Sequence, residues 1–340
     1  METTQLILDP DTIHHILQNL AEKLRAYYIF PEVAEQICLS LQEHLANGDY
    51  AQITDGELLA LALTIHLQEV NHDEHLWVRW HAELLPDDAT QLRLNQEWQE
   101  ARRLEASLDN YGLYRAERLP GNVGYLDIRY FHRPAWGGDT AVAAMNFLAN
   151  TNALIIDLRK CTGGFPGMIA LILSYLFGED PLHLDSIYWR DEDRTQQYWT
   201  LPYLPGKRYG DKPVYVLISR VTFSGGEEFA YILKTNQRAT LVGEKTDGGA
   251  HPGVSYSLHP YFEVFIPIGR TINPKTGTDW EGIGVIPDIA IPSEKALTSA
   301  YYLALQSIQV NSGESDSIPI KELAKEVQLA LKELSDGKRI

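Results

Sequence analysis

Thr222-Phe223-Ser224-Gly225-Gly226-Glu227-Glu228-Phe229 joins an apolar, strand-like run, Val214 to Ser219, to a helix-like run from Glu227 to Lys234. Ser224 therefore falls on a strand-to-helix turn, beside the unpaired N–H groups that open a helix, and two residues without side chains follow it. That placement suits a nucleophile exposed to a ligand. The same residues, Ser224-Gly-Gly-Glu227, also read as a capping box that satisfies the first N–H groups of the helix. The turn by itself leaves both readings open.

A second strand-turn-helix unit precedes it. Ala153 to Leu158 is a continuous apolar run, as expected of a strand buried on both faces. A Gly-rich turn from Arg159 to Gly167 leads into an apolar helix from Met168 to Phe177. Strands alternating with helices predict an open α/β sheet, and ligands of such sheets collect at the carboxyl ends of the strands. The Gly163-Gly164 turn and the Ser224 turn are thus expected to face one crevice. Neither G-x-G-x-x-G nor G-x-x-x-x-G-K-[ST] is present, so Gly163-Gly164 is not read as a phosphate loop.

Upstream the periodicity changes to that of core-packed helices. Ile13, Ile16, Leu17, Leu20 and Leu24 share one helical face, as do Val33, Ile37, Leu41 and Leu45, and a third apolar helix runs from Asp55 to Val70. It ends at Asn71-His72-Asp73-Glu74-His75, before the alternating strand Leu76 to Trp80. Residues 82–119 are polar and weakly periodic, with a charged helix expected from Glu97 to Glu105. Downstream, turns at Gly243 to Gly253 and Trp280 to Asp288 flank alternating strands, and two helices, from Ser293 and from Ile320, close the chain.

Composition narrows the function. The 340 residues are 44% apolar, enough for a full core, and carry a formal charge of −17, which disfavours nucleic acid and anionic membranes as partners. Two distant cysteines, Cys38 and Cys161, suggest neither a disulfide framework nor a zinc site, so a reducing compartment is expected. The start lacks the basic and apolar regions of a signal peptide, and a cytoplasmic location is the expectation.

A nucleophilic Ser224 needs a base, a group that orients the base, and N–H donors for an oxyanion. Gly225 and the Gly163-Gly164 turn can bring backbone donors close to a carbonyl. Among eleven histidines, His75 and His251 stand out because each lies in a turn between regular elements. Glu281 and Glu74 are candidates to orient a base.

Taken in order, Tyr28-Ile-Phe-Pro-Glu-Val-Ala, Asp73-Glu-His-Leu, Ile155-Ile-Asp-Leu-Arg, Gly163-Gly, Thr222-Phe-Ser-Gly-Gly-Glu-Glu, Gly243-Glu-Lys-Thr-x-Gly-Gly-Ala-His and Gly282-Ile-Gly-Val-x-Pro-Asp resemble the S41 peptidases. Within them the likeness is to the branch of interphotoreceptor retinoid-binding protein and the tricorn core protease, over about residues 15–305. The resemblance implies an α/β (α+β) protein with a helical N-terminal subdomain (1–80) and a ClpP/crotonase-like ββα-spiral core (121–310), to which the residue pattern adds a connector (81–120) and a C-terminal helix (318–337).

It also implies a serine peptidase in which Ser224 is the nucleophile, His75 the general base and Glu281 the supporting acid, with an oxyanion hole from Gly225, Gly163 and Gly164. Neither metal nor cofactor is expected. Peptides or unfolded protein chains are the expected partners, with no nucleic acid or membrane, and a homo-oligomer is compatible with the reading. Two departures qualify the match. The Lys of the Ser–Lys dyad used by the tail-specific branch falls at Gly249, and Glu74 replaces a small hydroxyl residue beside the base. No segment corresponds to the PDZ module of many relatives. The competing readings are a non-catalytic binder of an apolar small molecule, lined by Phe165, Phe223, Tyr231, Tyr256 and Tyr261, and crotonase-type thioester chemistry.

Overall fold

The computed structural model describes residues 8–85, 99–312 and 317–336. In chain order the elements are α1 (Pro10–Tyr27), α2 (Pro31–Asn47), α3 (Gly56–Gln68), β1 (Trp77–Trp80), a helical stretch over 99–108, β2 (Leu113–Leu119), β3 (Val123–Ile128), α4 (Pro134–Leu148), β4 (Ala153–Asp157), α5 (Pro166–Leu176), β5 (His183–Trp189), β6 (Arg194–Trp199), β7 (Val214–Ile218), α6 (Gly225–Thr235), β8 (Thr240–Gly243), β9 (Gly253–His259), β10 (Phe262–Pro267), β11 (Gly269–Ile272), β12 (Ile289–Ala290), α7 (Ser293–Ser312) and α8 (Ile318–Ser335). The protein is a mixed α/β structure with a helical N-terminal region. Among the described residues no helix is long and apolar enough to cross a membrane.

The chain forms two compact units, one of residues 1–100, 187–196 and 251–272 and one of the remainder. In the first, local chemistry sets the helix ends. Asp9 caps α1 by accepting from Thr12 N–H at 2.8 Å, Asp55 caps α3 by accepting from Leu58 N–H at 2.9 Å, and Gly48 closes α2 in the left-handed region at φ 81. The buried faces of α1 and α2 carry Ile13, Ile16, Leu17, Leu20, Leu24, Ile37 and Leu41, as the periodicity predicts. Their core continues onto an antiparallel sheet of order β1-β10-β9, through Val78, Phe262, Val264 and Ile266.

The second unit is built on a six-stranded sheet of order β12-β8-β7-β4-β3-β2, parallel throughout except for the β2–β3 pair. Every residue of β4 and β7 is buried, and alternate residues serve opposite faces. Leu154, Ile156, Val216 and Ile218 pack with Met145, Leu173 and Phe229 on one face. Ile155, Tyr215 and Leu217 pack with Ala300, Ala304 and Val327 on the other. This two-sided burial is why these strands read as unbroken apolar runs. Because β4 and β7 are adjacent and parallel, with Asp157 opposite Leu217, the turns after them leave the sheet at the same edge.

Strand β2 lies inside the segment expected to be a connector. Its burial is intermittent, with three consecutive exposed residues, so no clean alternation marks it in the sequence. The charged helix expected from Glu97 falls partly outside the described residues, and its described part is the stretch over 99–108.

Candidate active site

In the second unit, the turns after β4 and β7 are joined by hydrogen bonds that fix Ser224. Thr222 Oγ1 donates to the Leu158 carbonyl at 2.8 Å and accepts from Ser219 N–H at 2.9 Å, while Phe223 N–H donates to the Cys161 carbonyl at 3.0 Å. Cys161 is fully buried, and burial pushes its thiol up to about 12, which removes it as a competing nucleophile.

Gly163 and Gly164 follow at φ 124 and 134, conformations that L side chains rarely adopt. Phe131 N–H donates to the Gly163 carbonyl at 2.9 Å and Phe165 N–H to the Phe131 carbonyl at 2.7 Å, so the turn is gripped from one side. A methyl group on Gly164 would lie 2.3 Å from the Phe131 carbonyl oxygen, and one on Gly225 would lie 2.9 Å from Gly164 N. Glycine is therefore required where the two turns meet. Among the described residues no hydrogen bond occupies the N–H of Gly164 or of Gly225. The position of a methyl on Gly163 is 3.4 Å from Ser224 Oγ. Ser224, Gly225, Gly163 and Gly164 are thus brought together.

Ser224 has φ 50 and ψ −120, a strained conformation for any residue with a side chain. Ser224 and Glu227 form a capping box at the start of α6. Glu227 accepts from Ser224 N–H at 2.9 Å, and Glu227 N–H, the backbone group the Ser224 side chain faces, donates to the Ser224 carbonyl at 2.8 Å. The capping box therefore fixes Ser224 at the start of the helix.

The same carboxylate reaches a distant loop. It accepts from Thr246 Oγ1 at 2.5 Å, Gly248 N–H at 2.8 Å and Gly249 N–H at 2.9 Å. Burial pushes Glu227 up to about 7, against these four donors, which pull the other way. Behind the loop, Trp280 Nε1 donates to the Gly249 carbonyl at 2.8 Å, and Ala250 N–H donates to Glu281 Oε2 at 2.5 Å. Glu281 is half-buried. The neighbouring Glu228 is buried, and burial together with Asp185 raises it well above the usual carboxylate range.

The first unit holds His75 and Glu74. His75 is buried, and Glu74 beside it is exposed. Burial, reinforced by repulsion from His251 and opposed by Asp73, pushes His75 down to about 4, so its imidazole is neutral at physiological pH. Asp73 is the centre of this group. Its Oδ1 accepts from His75 N–H at 3.1 Å, and its Oδ2 lies 3.0 Å from His251 Nδ1 and accepts from Tyr28 O–H at 2.9 Å. The His251 ring packs edge-on against Phe30 at 5.4 Å.

Asp73 and Tyr28 were not candidates from residue chemistry alone, and His251 was only one of two turn histidines. Their partners lie 45 and 178 residues away, so no spacing rule links them. The run of three ionisable residues at 73–75 was the available signal.

Two outcomes follow from this geometry. Glycine adopts the Ser224 backbone conformation without strain, so Ser224→Gly should be more stable to urea than Ser224→Ala by about 1 kcal/mol. The opposite order would show that the turn is not strained. Glu227 titrates near 4.5 when unfolded and about 7 when folded, so its contribution to stability is complete below pH 4.5 and is lost as pH rises through about 7. The stability difference between wild type and Glu227→Gln should therefore shift against the wild type across that window, and a flat difference would show an unperturbed carboxyl.

Comparison with known proteins agrees with the sequence resemblance. A carboxyl-terminal-processing protease of Synechocystis sp. is 29% identical over 172 residues, covering 50% of this chain and 38% of the relative. The chloroplastic carboxyl-terminal-processing peptidase 2 of Arabidopsis thaliana is 27% identical over 187 residues, covering 51% of this chain and 34% of the relative. The matches thus span little more than a third of these relatives' length. In fold, a candidate peptidase from Parabacteroides merdae is similar with a TM-score of 0.60 at 16% identity, covering 86% of this chain and 96% of that one. The tricorn protease has a TM-score of 0.52 at 14% identity, covering 93% of this chain and 37% of that one. Residues 1–103 match the N-terminal domain of peptidase S41 in eukaryotic IRBP. Residues 122–291, half of the sequence, match peptidase family S41, and the chain belongs to that family.

Proposed function

We propose that this protein is a serine peptidase that cleaves peptides or unfolded chain ends through an acyl-enzyme on Ser224. The observation that carries the reading is the Ser224 side chain, held on a strained turn against the Gly163-Gly164 turn, where among the described residues no hydrogen bond occupies the N–H of Gly164 or Gly225. In the proposed reaction Ser224 Oγ attacks the scissile carbonyl carbon and gives its proton to His75, which is neutral and able to accept it. The N–H groups of Gly225 and Gly164 stabilise the oxyanion. Collapse breaks the C–N bond, the amine leaves with the proton from His75, and water hydrolyses the ester by the reverse sequence.

Glu281 is proposed as the supporting acid. Glu74, beside His75 in the chain, is proposed to assist it in orienting His75. Asp73 holds the His75 backbone and His251 together as a positioning group. The names of the curated relatives support action near carboxyl termini, by a mechanism other than the Ser–Lys dyad because Gly249 stands where the dyad's Lys would be. The parallel β3-β4-β7-β8 order, with Gly-rich turns after β4, supports a ClpP/crotonase-like core. Two free, buried cysteines support a reducing, cytoplasmic setting. The apolar-binder and thioester readings are not favoured by the family match.

Turnover of an unstructured peptide tests the proposal. Ser224→Ala and His75→Ala should each lower kcat/KM by a factor of ~10³ or more with the fold intact. The acid limb of the wild-type profile should lie near pH 4, since activity requires the neutral imidazole and is lost as pH falls through the His75 value. Full turnover in Ser224→Ala would end the proposal. Loss in His251→Ala but not in His75→Ala would move the base to the Asp73–His251 pair.

A further inference from the structure

The ends of α2 and α3, both within the first unit, carry a cluster that the peptidase reading does not use. His44 lies in the last turn of α2, and Asp49 and Tyr50 follow the Gly48 that closes that helix. His66 lies in the last turn of α3, and Glu69 is its C-cap. The two imidazoles stack with centroids 3.6 Å apart and planes 2° from parallel. One nitrogen of each ring and an oxygen of Glu69 all lie within 4.8 Å of one another.

The arrangement around each ring resembles that of metal-binding histidines. His44 Nδ1 is 2.6 Å from Asp49 Oδ2, and His66 Nδ1 is 2.8 Å from the Tyr50 hydroxyl. Such partners on the far nitrogen fix the tautomer and orient the ring, leaving Nε2 as the donor to a metal. Tyr50 is 1% exposed, so its hydroxyl is a fixed support. His44 Nε2 is 3.3 Å from Glu69 Oε2. Two ligand atoms about 2.0–2.1 Å from a tetrahedral zinc ion would stand about 3.3–3.4 Å apart.

We propose that His44, His66 and Glu69 form a zinc site that ties the ends of α2 and α3 together, with Asp49 and Tyr50 as its outer supports. Two imidazoles and one carboxylate suit Zn²⁺ and disfavour Mg²⁺ or Ca²⁺, which take oxygen ligands. Closure on the ion turns the two half-buried rings out of parallel so that their lone pairs converge. Three protein ligands leave a fourth position for water.

The site is tested by titrating ZnCl₂ into chelator-treated full-length protein, by calorimetry and by thermal melting. One ion should bind per chain and raise Tm. Affinity should fall at least tenfold in His44→Gln, His66→Gln and the exposed Glu69→Gln, and about 10–100-fold in Tyr50→Phe, which removes only an outer support. Glu69→Gln should keep the wild-type Tm without zinc, so its loss of binding cannot be ascribed to misfolding. The proposal is overturned if wild type fails to bind zinc at micromolar concentration, or if the three ligand variants bind it as the wild type does. Neither result bears on turnover by Ser224.

Discussion

The Glu227 carboxylate is the interaction on which the second unit's site depends. It sits without solvent exposure and accepts four hydrogen bonds, one from the Ser224 N–H and three from the loop at 246–249. A buried carboxylate is costly unless such donors surround it, and three of them are backbone groups that cannot rotate away. Its burial therefore requires that the loop and the start of α6 keep one arrangement. That constraint holds Ser224 in a conformation it would not adopt by itself.

The sheet supplies the rest of the constraint. Strands β4 and β7 are buried on both faces, so their register is fixed by two cores at once, and a slip of one residue would exchange the faces. The turns that follow them inherit that precision. Thr222 and Phe223 convert it into hydrogen bonds to Leu158 and Cys161, which set the glycine turn against the serine turn. In the first unit Asp73 has a comparable place, joining Tyr28, the His75 backbone and His251 from three parts of the sequence.

Much of this was legible in the sequence wherever the cause is local. The apolar faces of α1 and α2, the two-sided strands β4 and β7, and the strand-to-helix turn at Ser224 all follow from periodicity and turn chemistry. The capping box was legible too, but the second set of bonds made by its carboxylate was not. Only the structure shows that the Glu227 carboxylate, besides accepting from Ser224 N–H, also holds the loop at 246–249. The rest was hidden for one reason. The Thr246 to Gly249 partners of Glu227, the Asp73–His251 contact and the pairing of β2 with β3 join residues whose separation or intermittent pattern carries no periodic signal.

The central claim is that Ser224 carries an activated hydroxyl. Intact-mass analysis after treatment with a fluorophosphonate, followed by peptide mapping, tests it most directly. The account predicts one adduct per chain, located on Ser224 and absent from Ser224→Ala. A folded protein that takes up no adduct, or that carries it on another residue, would contradict it.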